Sequence, residues 1–378
     1  MKLLKTLLAA TVALSLTACA APKESNVSTS EVSEKENAKT VTIIDHADRE
    51  VTVPTNPGKV AILGILPLPA MLTIYLNSAD SLVAMEPASM NAAKNGVLSE
   101  LYPEILNVST DIMNGEDVNI EALVSLSPDV VFCNAANKKI IEKISNAGLT
   151  AVGVSPTKWN YNCIKTYDEW MNLLNQIYPD HDAKREKLVD TYANDTYNEI
   201  QDKVKDITDK QKVLFLYQYD ENTMVTSSSK FFGQWWCDAV GAENVAKDVP
   251  AENSNAVITM EQVYEWNPDV IFITNFTPTT PDNLYNNEIG DDDWSMIKAV
   301  QDKRVYKMPL GSYRTYTPGI DTPMTLEWIA QAVYPDLFNE YDVKNSVKKY
   351  YKELYNVELT DKQIEVMYSP NKKAGSMN

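Results

Sequence analysis

The segment Val118-Asn119-Ile120-Glu121-Ala122-Leu123-Val124-Ser125-Leu126-Ser127-Pro128-Asp129-Val130-Val131-Phe132 returns 140 residues later, without a gap, as Ile258-Thr259-Met260-Glu261-Gln262-Val263-Tyr264-Glu265-Trp266-Asn267-Pro268-Asp269-Val270-Ile271-Phe272. Glu, Pro, Asp, Val and Phe coincide at five aligned positions. Asn119 and Thr259 stand where a helix cap belongs, and Thr259 with Gln262 fits a capping box. Proline stops each helix, and the three apolar residues after the aspartate read as a buried strand. Each copy is a helix, a break and a central strand, so duplication of an α/β lobe is favoured over chance recurrence.

Between the copies, Asp182 to Ile207 carries Val189, Ala193, Tyr197, Ile200, Val204 and Ile207 at steps of four, four, three, four and three. That is one stripe of a helix. About 25 residues at 1.5 Å each make a rod of roughly 37 Å. A chain of 378 residues exceeds what one core usually holds. The expected division is a first lobe over 41–157, a helical connector over 158–210, a second lobe over 211–340 opening with the strand Lys212–Leu216, and a helical tail over 341–378. In the first lobe, Val41–Ile44 and Glu50–Val53 read as a hairpin and Lys59–Leu63 as a buried strand. Ala70–Leu76 reads as a helix, Leu82–Ala84 as a strand and Gly96–Leu106 as a further helix. Alternating strands and helices predict parallel sheets covered on both faces, hence two doubly wound α/β lobes joined by one long helix.

The amino terminus is a separate matter. Lys2 and Lys5 precede an apolar run, Leu7–Leu16, that is too short to span a bilayer. Residues 1–18 therefore read as a signal peptide ending before Cys19. Leu16-Thr17-Ala18-Cys19 resembles the lipobox of bacterial lipoproteins, which implies that Cys19 is lipidated and that the protein is extracytoplasmic, anchored to the cell membrane through that lipid only. Residues 19–40 hold too little apolar surface to fold and read as a tether. Removing Lys2 and Lys5 takes the formal charge from −18 to −18 − 2 = −20. Such a surface repels nucleic acid and anionic headgroups. The remaining thiols, Cys133, Cys163 and Cys237, have no metal-ligand spacing, and one disulfide among them stays open.

No catalytic signature stands out: there is no glycine-rich phosphate loop, no Gly-x-Ser-x-Gly elbow and no His-Glu-x-x-His. The acidic run Asp291-Asp292-Asp293 reads as a solvated turn, and the two histidines, His46 and His181, as solvated side chains. No metal site or cofactor of the protein's own is expected. Aromatic residues gather instead beside predicted strand ends: Trp159 and Tyr161, Tyr217 and Tyr219, Phe231 to Trp236, and Tyr313 to Tyr316. Loops beyond the carboxyl ends of strands line the ligand crevice of a doubly wound sheet. The candidate ligand-binding residues are thus Trp159, Tyr161, Tyr219, Trp235, Trp236, Tyr313, Arg314 and Tyr316, although a helix of that pattern buries one of Trp235 and Trp236 in core. Arg314 is the sharpest of them. It is one of four arginines against thirty lysines, set between two tyrosines in Gly311-Ser312-Tyr313-Arg314-Thr315-Tyr316, and its planar fork suits an anion.

Taken in order, these residues resemble the substrate-binding proteins of ABC importers for iron siderophores, haem and cobalamin, the class III periplasmic binding proteins. Val41–Asp45, Arg49–Pro54 and Lys59-Val60 resemble that family's opening hairpin, and Asn119–Phe132 its helix-proline-strand signature. Gly241–Val245, Trp294, Arg304–Tyr306 and Leu326–Phe338 are similar to its second lobe. The resemblance implies a monomeric, non-catalytic receptor that holds a metal chelate, first of all a ferric siderophore, in the cleft between lobes and passes it to a permease with ATPase subunits. Cobalamin, haem or a metal oxyanion are alternatives on the same fold, and a surface adhesin or structural lipoprotein is the alternative of another class. Family members often dock on the permease through one glutamate per lobe. This chain has none at either place, and Glu86 and Asp238 are the nearest substitutes.

Overall fold

In the computed structural model, residues 39–115, 117–251 and 256–375 are described, so the signal segment and Cys19 lie outside the described residues. The apolar stretches Thr40–Ile44 (β1) and Glu50–Pro54 (β2) pair as the expected antiparallel hairpin. Pairing starts inside the predicted tether, where the Lys39 carbonyl accepts from the Thr55 N–H and hydroxyl. Asp45, buried at the turn, ties the hairpin to the lobe by accepting from the N–H groups of Ala47, Arg49 and Gly153 and from the Arg49 guanidinium.

The first sheet uses Val60–Ile62 (β3), Leu82–Ala84 (β4), Val130–Asn134 (β5) and Ala151–Val154 (β6), all parallel, in the order β4-β3-β5-β6. Leu68–Leu76 (α1) and Pro87–Asn95 (α2) follow β3 and β4, and Ile120–Leu126 (α3) precedes β5. The helix expected over 96–106 breaks into a turn at Leu98–Leu101 and a 3-10 turn at Pro103–Asn107. Pro103 denies the helix a donor in its middle. The polar, alanine-rich α2 before it shows no apolar periodicity in the sequence.

Cys163–Ile177 (α4) leads into the rod, which is helical from Asp182 to Val204 (α5) and ends three residues short of the expected Ile207. Its middle, Glu186–Asn194, is π-helical. Val189, Ala193 and Ile200 of the predicted stripe are fully buried. The rod adds donors to carbonyls at the ends of other helices. Lys184 Nζ donates to the carbonyls of Ile74 and Tyr75 at the end of α1.

The second sheet contains Lys212–Tyr219 (β7), Met224–Thr226 (β8), Val270–Ile273 (β9) and Val305–Lys307 (β10) in the order β8-β7-β9-β10, with β8 antiparallel and the rest parallel. Phe232–Ala239 (α6) and Met260–Trp266 (α7) pack on it. Gln201 of the rod donates to the carbonyls of Asp238 and Ala239 at the end of α6. Val204 sits on Gly241 (φ +69°), where a Cβ would come within 2.8 Å of it.

The duplicated segments become the same structure. α3 and α7 have seven residues each and end in left-handed caps, Ser127 at φ 50° and Asn267 at φ 44°. The aspartate after the proline then bonds the start of the neighbouring strand: Asp129 accepts from the N–H of Gly58 and Lys59, and Asp269 from that of Lys212. This sets the register, with Val130 opposite Val60 and Val270 opposite Val213.

Thr322–Val333 (α8) closes the second lobe, and the tail forms Val343–Tyr355 (α9), Asp361–Tyr368 (α10) and a last 3-10 turn, Lys372–Gly375. Cys133, Cys163 and Cys237 are buried and free. Among the described residues no helix is long and apolar enough to cross a membrane.

Candidate functional site

On the first lobe, the carboxyl ends of the strands present Gly64 after β3, Glu86 after β4 and Asn134 on β5, around a pocket of about 180 Å³. Gly64 adopts φ +70°, and its Cβ would stand 3.0 Å from that of Asn134. Its N–H donates to Glu86 Oε1 at 2.5 Å. Burial raises the Glu86 carboxyl above the usual range, and this hydrogen bond pulls it back.

On the second lobe the site is the loop 309–321. Its frame is the buried Asp321, which takes the N–H and hydroxyl of Ser312 on Oδ2 and the Tyr351 hydroxyl on Oδ1. Gly311 is required beside it, because a Cβ there would lie 2.4 Å from the carboxyl carbon. Thr315 Oγ1 donates to the Pro309 carbonyl. A loop held at so many points fixes Tyr313 and Arg314.

Arg314 is 1% exposed. Its Cζ lies 4.9 Å from the centre of the Phe276 ring and 5.5 Å from that of Tyr313, and Nη1 donates to the Tyr313 hydroxyl at 3.1 Å. Tyr217 packs on Phe276 at 4.9 Å and on Phe231 at 5.2 Å, extending the aromatic wall. Tyr161 reaches the same wall from the connector, 5.9 Å from Phe231 and 5.5 Å from Phe232. A second cation lies behind it. Lys307 Nζ donates to the carbonyls of Thr274, Thr277 and Thr279, and burial, with the Arg314 charge, pushes its pKa down to about 7.

The lobes meet over this loop. Pro67 and Met71 of the first lobe face residues 312–321, leaving a space of about 10 Å³. The last turn enters as well: the Ala374 carbonyl accepts from Arg314 Nε at 3.2 Å and Nη2 at 2.8 Å. A guanidinium buried in an aromatic wall suits the holding of an anionic solute. Among the described residues, no three His, Cys, Asp or Glu side chains gather closely enough to hold a metal ion. A roomier groove of about 720 Å³ lies along β10 beneath α9 and α10. Two of its polar groups are engaged, Gln331 by the carbonyls of Phe338 and Tyr341 and the Tyr341 hydroxyl by Glu199, and its lining lacks the buried guanidinium that marks the crevice.

The predicted residues divide accordingly. Tyr313 and Arg314 lie in the crevice and Tyr161 at its aromatic wall. Tyr316 and Trp236 are core: the Tyr316 hydroxyl pairs with Ser227 Oγ and accepts from the Gly233 N–H, and Trp236 Nε1 donates to the Tyr316 carbonyl. Trp235 stacks on Tyr197 of the rod. Trp159 stands edge-on to His46 at 4.9 Å. Tyr219 lies on the opposite face of its sheet, its hydroxyl donating to Asp292 and accepting from Trp294 Nε1. A bulge explains this, since Val225 pairs with Gln218 and Thr226 with Leu216, leaving Tyr217 as the extra residue. The two tyrosines therefore point to opposite faces, and Tyr217 takes the place expected for Tyr219.

Glu86, expected as a docking acid, turns inward; Asp238 is exposed on α6 and accepts from Gln234. Asp292, read as part of a solvated turn, is half-buried beneath Tyr219. His46 is not solvated: it accepts from the Ser155 N–H on Nδ1, and burial lowers its pKa to about 4. Tyr217, Phe231, Phe276 and Ala374 were missed. The first two sit inside the aromatic runs, and Phe276 lies just past a strand end. Ala374 acts through its backbone, which no side-chain pattern reveals.

Residues 75–310 match the sequence profile of a family described as periplasmic binding protein. The chain is 27% identical over 340 residues to the molybdate-binding protein MolA of Haemophilus influenzae, covering 83% of this chain and 90% of that one. It is 25% identical over 336 residues to YvrC of Bacillus subtilis, described as an uncharacterized ABC transporter substrate-binding lipoprotein, covering 87% and 96%. Among solved structures, a periplasmic solute binding protein from Veillonella parvula superposes with a TM-score of 0.77 at 27% identity, covering 88% of this chain and 97% of that one.

Proposed function

Because the chain belongs to the periplasmic binding protein family, we propose that it is the extracytoplasmic receptor of an ABC importer, held to the membrane through a lipid on Cys19. Members of this family are binding proteins of transporters rather than enzymes. In this reading the chain captures an anionic metal chelate, first of all a ferric siderophore, between its lobes and delivers it to the permease and its ATPase subunits. The observation that supports it is Arg314, buried in a wall of Tyr313, Phe276 and Tyr217 at the place where the lobes meet. A guanidinium buried among rings favours a charged partner, and its fork suits a carboxylate or another planar anion. The aromatic faces suit the organic part of a chelate.

A metal oxyanion is the second reading, favoured by the 27% identity to a protein named for molybdate. Thermal unfolding of the purified protein with ferric citrate, ferric hydroxamates and molybdate separates the two. A true cargo at a hundredfold over its dissociation constant stabilises by about 2.7 kcal/mol. Stabilisation by molybdate alone would replace the chelate reading with the oxyanion one, and stabilisation by none of them would remove both.

A further inference from the structure

The last turn has the composition of a solvated tail, Asn371-Lys372-Lys373, and both lysines are exposed. The next two residues are not: Ala374 is 0% exposed and Gly375 is buried too. Three elements enclose this backbone. α2 of the first lobe packs on it, and Arg314 of the second directs Nε and Nη2 at the Ala374 carbonyl. Thr277 lies so close that a Cβ on Gly375 would stand 2.2 Å from its carbonyl oxygen. The turn therefore sits where the lobes meet, on the buried cation. The space left beside the Arg314 loop is about 10 Å³, whereas small-molecule sites run to roughly 300–1,000 Å³.

We propose that the last turn is an intramolecular occupant of the cargo site, which cargo must displace; this inference rests on the cargo reading above. Arg314 now gives two N–H groups to one neutral carbonyl oxygen. A carboxylate or oxyanion takes the same fork through charge-assisted hydrogen bonds, roughly twice as strong. Any solute, charged or neutral, must expel the turn to reach Arg314. Apparent affinity falls by the fraction of time the site is open, so a turn docked nine-tenths of the time weakens binding about tenfold. The turn thus lowers the affinity of every solute by the same factor, while the preference for charge stays with Arg314.

The test uses the full chain and Gly375→Val, whose side chain cannot fit against Thr277 while Arg314 and its wall stay unaltered. Ferric citrate and molybdate serve as anionic probes and a neutral ferric trihydroxamate as the control, each followed by tryptophan fluorescence. The variant is expected to bind an anionic probe about tenfold more tightly than the parent, with the same gain for the neutral control. Independently, a fluorophore on Lys373→Cys, introduced beside three buried native thiols, should turn from slow to fast rotation when an anionic probe binds. Equal affinities in parent and variant, or a label that stays immobile with probe bound, overturn the inference and leave the cargo reading standing. Absence of binding by both proteins overturns the cargo reading, and the inference with it.

Discussion

In the first lobe the segment Asn119–Phe132 and in the second Thr259–Phe272 build one unit: seven residues of helix, a left-handed cap, a proline, an aspartate bonded to the next strand, and a central strand. On either side of that unit the lobes part company. The first adds a parallel edge strand, β4, and ends its crevice in Gly64, Glu86 and Asn134. The second adds an antiparallel strand, β8, covered on its outer side by Ala256–Val257; the bulge between β7 and β8 throws Tyr217 and Tyr219 to opposite faces, and the lobe ends in aromatic rings and Arg314. Shared backbone bonding holds the sheets, while the strand-end loops were free to diverge into an acid on one side and a cation on the other. Chemistry follows the loops.

The strongest way to break this contrast is to remove each charge in turn. Arg314→Ala should weaken binding of an anionic probe about 100-fold, on the order of 3 kcal/mol, whereas Glu86→Gln should leave it unchanged or tighten it. Equal losses in a fluorescence titration would show that the lobes share the anion.

A second difference lies in pH. The first lobe buries His46 with its pKa lowered to about 4 from an ordinary 6.5. Between those values the unfolded chain binds the proton and the folded one does not, so the stability is fully present above pH 6.5 and is lost as pH falls toward 4. By pH 4.5 the loss should be about 2 kcal/mol. Urea unfolding of His46→Asn, which keeps an acceptor for the Ser155 N–H, should show that slope flattened; an unchanged slope would place the acid sensitivity elsewhere.

Smaller effects sharpen the likeness. Asp129→Ala and Asp269→Ala should each cost about 1.5 kcal/mol, because each leaves backbone N–H groups at a strand start without their carboxylate. A silent variant in one lobe would mean that only the other relies on the shared unit. At the caps, Ser127→Gly should stabilise by about 1 kcal/mol, since serine resists the left-handed region. Asn267→Gly should gain only a few tenths of a kcal/mol, because asparagine tolerates it. Thermal melts of the two variants compare them directly.

Much of the fold was legible because its signals are local. Proline, aspartate and three apolar residues mark a central strand twice, and spacings of three and four residues mark the rod. The π-helical stretch Glu186–Asn194 was not foreseen, because its stripe also advances by fours. α2 escaped because its buried positions, Ala88, Ser89, Ala92 and Ala93, are too small to show a pattern. In the site, Arg314 stood out by rarity and rigid neighbours. Alternation puts Tyr217 and Tyr219 on one face of an unbroken strand, and the bulge that parts them leaves no mark in the sequence. Tyr316 and Trp236 look like ligand groups in sequence and bond each other's surroundings in the core instead.

The rod touches the two lobes at unequal distances along the chain. Lys184 reaches back 109 residues to Tyr75, whereas Gln201 reaches ahead only 38 to Ala239. Loop closure costs more for the longer reach, and distant contacts form later. As the chain emerges, the first lobe's strands are complete while the carbonyls at the end of α1 still wait for Lys184. The second lobe meets a rod already made. At these two contacts the helix fastens the end of α1 late and is already present when α6 is made.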